Sequence, residues 1–324
     1  MELSRTDHSV SPPHIEVPRE YNAAFDLIER NRQAGRGAKV AFHDDAGSVT
    51  YAQLAEKVNR FGSGLLAMGL RMEDHVLIAM HDSIDWPVAF LGAIRAGIIP
   101  VAVNTLLTTK DYQYMLTDSR AKALVVSEAL LPQFKPMIDG LPFLQHVIVS
   151  GSSFNEVLAK GQETLAPAPT TRDDACFWLY SSGSTVHAHS SMIETAELYA
   201  RGVLGMKESD VVFSAAKLFF AYGLGNSLSF VLAVGATAVL MAERPTPAAV
   251  FKRLTGRKPT LFYGVPTLYA GMLADPAFPR KEDLALRICL SAGEALPSQI
   301  ATSFKERTGL DILAALRVKL EDPG

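Results

Sequence analysis

The chain has 324 residues, 48% of them apolar and 20% charged, with a formal net charge of −3. That length allows a large core spread over more than one lobe, and the near-neutral charge lacks the basic excess of a nucleic-acid binder. Two cysteines, Cys176 and Cys289, are too few for a disulfide scaffold in a chain this long, so a reducing, cytoplasmic setting is expected.

Residues 1–19 are polar and proline-bearing, without an apolar signal core. Thr50-Tyr51-Ala52-Gln53 has the form of a capping box, and Leu54, Val58, Phe61, Leu65 and Met68 then recur at spacings of four and three, which predicts one helical stripe stopped at Gly69. Strands are expected over 75–80, 98–103 and 123–126, with an amphipathic helix over 86–95 closed by Gly97. Residues 161–174 shift to Pro, Thr, Ala and charge, which reads as a linker and divides the chain into subdomains 1–165 and 166–324. The second half repeats the alternation, with strands over 176–180, 211–214, 237–241, 260–263 and 287–290. The longest apolar run, 228–242, is interrupted by Ser229, Gly235 and Thr237 and reads as a buried helix followed by a buried strand, not a membrane span. Strands apolar on both faces and separated by helices predict an α/β fold with mainly parallel, helix-flanked sheets.

Three segments after apolar strands carry chemistry. In Tyr180-Ser181-Ser182-Gly183-Ser184-Thr185, small hydroxyl residues around a glycine let backbone N–H groups and hydroxyls converge on an anion; an ordinary Ser/Gly turn is the competing reading. No Gly-Lys dipeptide makes it a Walker loop. In Lys217-Leu218-Phe219-Phe220-Ala221-Tyr222-Gly223, aromatic rings flank residues with little or no side chain. Such a segment can wall a slot for a flat aromatic ligand, or it is plain core packing. Ser291-Ala292-Gly293-Glu294-Ala295-Leu296-Pro297 runs from strand to helix, the position at which open α/β sheets bind nucleotides. Tyr263-Gly264-Val265-Pro266 has the same geometry. His187 and His189 would face one side of a strand, but no third ligand has sensible spacing and no metal site is expected.

Taken in order, these segments resemble one superfamily, the adenylate-forming enzymes, and within it the benzoate–CoA ligases. Val49-Thr50-Tyr51-Ala52-Gln53-Leu54 is similar to the early helix-entry motif, residues 91–100 to the next core motif, Tyr180 to Thr185 to the first half of the phosphate loop, and Ser291 to Pro297 to the adenine-side motif. Residues 217–225, Trp178-Leu179-Tyr180 and Thr195-Ala196-Glu197-Leu198-Tyr199 carry the likeness to benzoate–CoA ligases. The resemblance implies the two-sheet N-terminal domain of such an enzyme, with ATP, Mg²⁺ and CoA as its partners beside a small aryl acid. It implies no nucleic acid and no membrane, and it is compatible with a homodimer. By the same resemblance Ser181, Ser182, Gly183, Ser184 and Thr185 would hold phosphates. Phe220, Ala221, Tyr222, Gly223 and Gly264 would line the acid pocket. Ser291, Ala292, Gly293 and Glu294 would border the adenosine.

The sequence departs from the family pattern at two places. Thr185 runs directly into Val186-His187, where the family carries a glycine, a proline-lysine-glycine step and a small residue. After Asp311-Ile312-Leu313 comes Ala314-Ala315-Leu316-Arg317 in place of an acidic, glycine-rich motif ending in Thr-Glu, and 317–324 resembles a much later strand segment. No counterpart of the family's small C-terminal domain, or of its carboxylate-binding lysine, is expected here, and no catalytic residue is assigned. One lost electrostatic contact at such a site costs about 10²–10³ in rate. A catalytically silent aryl-acid binder, and a CoA ligase for another acyl group such as a hydroxybenzoate, therefore stand as alternatives to benzoate activation.

Overall fold

The computed structural model describes residues 1–180 and 184–314, with only the backbone of Ser184. The expected phosphate-loop residues Ser181, Ser182 and Gly183, and the terminal segment 315–324, lie outside the described residues.

Two helix-flanked sheets dominate the molecule. The first has the order Ser184–Ala188, Ala175–Tyr180, Ile99–Ala102, His75–Ala79, Ala123–Val126, His146–Val149, and only its first pair is antiparallel. The second has the order Ile312–Ala314, Ile288–Ser291, Leu261–Gly264, Val211–Ser214, Thr237–Val239, Val40–His43, Ser48–Thr50, and only its last pair is antiparallel. The sheets exchange segments along the chain: the hairpin at 40–50 joins the second sheet, and strands 175–188 join the first. A separate two-stranded ribbon pairs Arg5–Asp7 with His14–Glu16.

Strand periodicity explains why these strands read as unbroken apolar runs. Val76 and Ile78 enter a core shared with Val212, Ala238 and Leu261 of the other sheet, whereas Leu77 and Ala79 enter a cluster on the first sheet's other face with Leu124 and Val126. Phe213, Val239, Phe262 and Cys289 do the same on the second sheet's other face. Each sheet is therefore buried on both sides, and one core fills the space common to both.

Helix Tyr51–Ala67 starts at a true capping box. Thr50 Oγ1 accepts the Gln53 N–H at 3.2 Å, and Gln53 Oε1 accepts the Thr50 N–H at 2.9 Å. Leu54, Val58, Phe61 and Leu65 are all buried, and Gly69 takes φ +92° just past the end. Helix Asp85–Arg95 forms where expected but is not amphipathic, because all ten residues from Trp86 to Arg95 are buried. It crosses helix Tyr51–Ala67 so closely that a Cβ on Gly62 would meet the Gly92 carbonyl oxygen. The run at 228–242 resolves into helix Phe230–Val234, a left-handed turn at Gly235 (φ +84°) and strand Thr237–Val239. The expected linker carries no helix or strand over 162–170, yet it is pinned: Arg95 donates to the Leu165 carbonyl at 2.7 and 2.9 Å, and the Tyr21 N–H donates to the Thr170 carbonyl at 2.9 Å.

Candidate functional site

A cavity of about 1000 Å³ opens where the carboxyl ends of strands from both sheets converge. Its wall includes Phe220, Ala221 and Tyr222, which follow strand Val211–Ser214, and Ala292 and Gly293, which follow strand Ile288–Ser291. His81, Asn104 and Thr105 come from the first sheet, and Glu243, Arg244 and Val265 from the second. Strand carboxyl ends are where parallel α/β sheets leave backbone and loop groups free for a ligand. The volume is at the upper end of small-molecule sites.

The aromatic wall stands on short-range structure. Phe220, in extended conformation, precedes the turn Ala221–Leu224, and a π-helical turn, Gly225–Ser229, continues it. Phe220 is 47% exposed at the mouth, and the Tyr222 ring meets Tyr263 edge-on at 6.0 Å. The Tyr222 hydroxyl is buried without a hydrogen-bond partner, and burial pushes its pKa upward. Across the cavity Gly293 takes φ +91°, a turn that a residue with a side chain rarely adopts.

The structure brings together five of the expected site residues, Phe220, Ala221, Tyr222, Ala292 and Gly293. Of the other expected site residues whose side chains are described, Gly223, Gly264, Ser291, Glu294 and Thr185 do not line the cavity. Gly223 lies behind the wall, and its missing side chain makes room for the Lys217 carbonyl, not for a ligand. Gly264 is likewise small because the Tyr269 ring packs on it. Ser291 is buried at the strand end with its hydroxyl unpartnered, and Glu294 is exposed. Thr185 is exposed on its strand opposite Leu179, and Ser184 stands opposite Tyr180. His187 and His189 do not share a site. His187 stacks on Phe177 at 4.5 Å, whereas buried His189 accepts the Ala23 N–H through Nδ1 at 3.1 Å, and burial lowers its pKa to about 4. Among the described residues no cluster of three or more His, Cys, Asp or Glu side chains could hold a metal.

Sequence reasoning gives no role to the charged groups beside the wall: Lys217 reads only as the start of the aromatic segment, and Asp82 is not singled out. Asp82 is buried, and desolvation raises its pKa to about 7 against the opposing pull of Lys217 and the Leu218 N–H. Lys217 lines the cavity, and burial lowers its pKa. His81 is lowered first by burial and then by Lys217. The available signal was position: each of these residues follows a strand's carboxyl end.

Two helix-flanked, largely parallel sheets that meet at a deep cavity of this kind define an α/β ligand-binding domain with its site at the strand ends. A family model described as AMP-binding enzyme matches residues 29–315, and the chain belongs to that family. It is 59% identical to a benzoate–CoA ligase from Thauera aromatica over 96% of this chain and 61% of the relative. It is 45% identical to a 4-hydroxybenzoate–CoA/benzoate–CoA ligase from Rhodopseudomonas palustris over 91% of this chain and 57% of the relative. The crystal structure of a benzoate CoA ligase from Burkholderia xenovorans LB400 superposes with a TM-score of 0.87 at 49% identity, covering 91% of this chain and 60% of that one. An anthranilate CoA ligase in complex with anthranoyl-AMP gives 0.88 at 37%, covering 92% and 59%. The chain thus spans about three fifths of the length of these relatives.

Proposed function

We propose that this chain forms the acid- and nucleotide-binding domain of a ligase that converts benzoate, or a close aryl carboxylate, to its CoA thioester. ATP first activates the carboxylate as an acyl-adenylate with release of pyrophosphate, and the CoA thiol then displaces AMP. The observation that carries this reading is the single cavity shared by the ring-lined segment Phe220-Ala221-Tyr222 and the strand-end turn Ala292-Gly293. A carboxylate and an α-phosphate can react only when held in line and within contact distance, so a joint cavity is the first geometric requirement. Phe220 and Tyr222 supply apolar area for a flat ring beside the small Ala221, while Gly223 and Gly264 let the backbone behind them pack closely. Ser291, Ala292, Gly293 and Glu294 would border the adenosine, and Ser181, Ser182, Gly183, Ser184 and Thr185 would face its phosphates. The high identity to benzoate–CoA ligases supports benzoate over other acids. ATP, CoA and the aryl acid are the proposed partners, in the cytoplasm and without membrane attachment, and a homodimer is the proposed assembly. No helix among the described residues is long and apolar enough to cross a membrane. The described residues supply no ready Mg²⁺ ligand cluster, so no step is assigned to that ion.

A second reading, a binder without catalysis, is favoured by the register of the hairpin at 175–188. Tyr180 and Ser184 stand directly opposite, so three residues join the two strands where the related enzymes' phosphate loop is longer by resemblance. Exchange of labelled pyrophosphate into ATP separates the two readings. Exchange that requires benzoate is expected of the ligase. Calorimetric benzoate binding without exchange would leave the binder, and exchange independent of any aryl acid would remove both.

A further inference from the structure

Lys217 lines the cavity at the start of the aromatic wall segment, and its contacts show that it is already committed. Its ammonium group donates to the Met241 carbonyl, to the Glu243 carbonyl at 2.7 Å and to the Ala242 carbonyl at 3.5 Å. Three N–H bonds directed at three carbonyls leave none to neutralise a ligand carboxylate. The contact instead joins two cavity-lining segments, 215–222 and 242–245, which follow neighbouring strands of the second sheet.

The connection continues in both directions. On one side the Leu218 N–H donates to both carboxylate oxygens of buried Asp82 at 3.3 Å, and Asp82 follows strand His75–Ala79 of the first sheet. On the other side the Glu243 carboxylate pairs with Arg253, which is only 3% exposed. Arg253 also holds Asp45 at 2.6 and 2.8 Å. The neighbouring Asp44 accepts the Ile84 N–H at 2.9 Å, two residues beyond Asp82. The polar contacts therefore close a ring that crosses from one sheet to the other and back, and within it Lys217 and Glu243 line the cavity.

We propose that Lys217 and Asp82 are positioning residues of the acid pocket, holding the Phe220-Ala221-Tyr222 wall at a fixed distance from the 242–245 segment through this ring. The inference rests on reading the cavity as an aryl-acid site. A pocket that recognises a flat ring depends on wall separation, and a charge that starts on the wall segment and bonds only backbone carbonyls of the facing segment is suited to fix it.

Titration calorimetry on the full chain tests it, with benzoate and ATP titrated separately into wild type, Lys217→Met, Lys217→Arg and Asp82→Asn. Lys217→Met keeps the apolar stem and removes the donors. It is expected to weaken benzoate binding at least tenfold while changing ATP binding less than twofold. Lys217→Arg is expected to recover at least half of that loss on a logarithmic scale, and Asp82→Asn, which can still accept the Leu218 N–H, to lose less than Lys217→Met. Equal loss of both ligands, or a folded Lys217→Met that binds benzoate like wild type, overturns the brace. If Lys217→Met does not fold, Asp45→Asn at the half-exposed end of the ring replaces it: a two- to fivefold loss of benzoate affinity supports the inference, and unchanged affinity overturns it. A wild-type chain that takes up no benzoate overturns the pocket reading itself, and is distinguished because wild type fails before any variant is compared.

Discussion

The wall at 217–222 and the hairpin at 175–188 both follow apolar strands, and both were expected to touch ligand, yet they are held in opposite ways. The wall is fixed at its working end. Lys217 and Leu218 are tied to the 241–243 segment and to Asp82, and Gly223 packs against the Lys217 backbone. The hairpin is fixed at its base, where buried His189 accepts the Ala23 N–H and donates its own N–H to the Asp174 carbonyl, while Thr185 and Val186 stand exposed. A segment pinned at the end that faces the cavity presents a preorganised surface. On the proposed reading the acid side of the cavity is built into the fold, and the phosphate side would fall to Ser181, Ser182 and Gly183, which lie outside the described residues.

Changes at the acid side should have the largest effects. Ala221→Phe fills the space beside Tyr222 at an exposed position, so it should abolish measurable benzoate binding by calorimetry and leave the melting temperature near that of wild type. Unchanged affinity would break the comparison at once. The next effect probes the hairpin's base. Burial lowers the folded-state pKa of His189 from 6.5 to about 4, so the unfolded chain binds this proton more readily. The stability tied to neutral His189 is fully present above pH 6.5 and is lost as pH falls toward 4, on the order of 3 kcal/mol in total. Denaturant melts at pH 7 and pH 4.5 should show that loss in wild type, and a markedly smaller one in His189→Asn. Gly223→Ala should follow, at about 1–3 kcal/mol of destabilisation, because the added methyl group meets backbone carbonyls that cannot move aside. The smallest effect on the acid sharpens the contrast: Thr185→Val should leave benzoate affinity within about twofold of wild type, because Thr185 does not line the cavity and makes no part of the braced ring.

Much of this organisation is legible in the sequence, and the exceptions share a physical cause. The helix after Thr50 is readable because its cap and its stripe are local, and the strand at 123–126 because four consecutive apolar residues pack on both faces. The helix at 85–95 is readable as a helix but not as a fully buried one, because its outer face is covered by elements distant in the chain. The hairpin at 40–50 escapes notice because its strands have four and three residues, and its turn depends on Asp44 capping the Ala46 and Gly47 N–H groups. That Phe220, Ala221 and Tyr222 line a cavity is readable from composition, as rings beside a small residue. The small residues at 223 and 264 invite the same reading, yet they serve packing against Lys217 and Tyr269, contacts that no local pattern reveals. Asp82 and Leu218 are 136 positions apart, so their bond is invisible until both sheets are assembled.

The most direct measurement is a crystal structure of the chain grown with benzoate. The account predicts the ring against Ala221 and Tyr222, with its carboxylate toward Ala292 and Gly293 and the Lys217 ammonium still on the Met241 and Glu243 carbonyls. Benzoate bound outside this cavity, or an ordered cavity left empty at saturating benzoate, would contradict it.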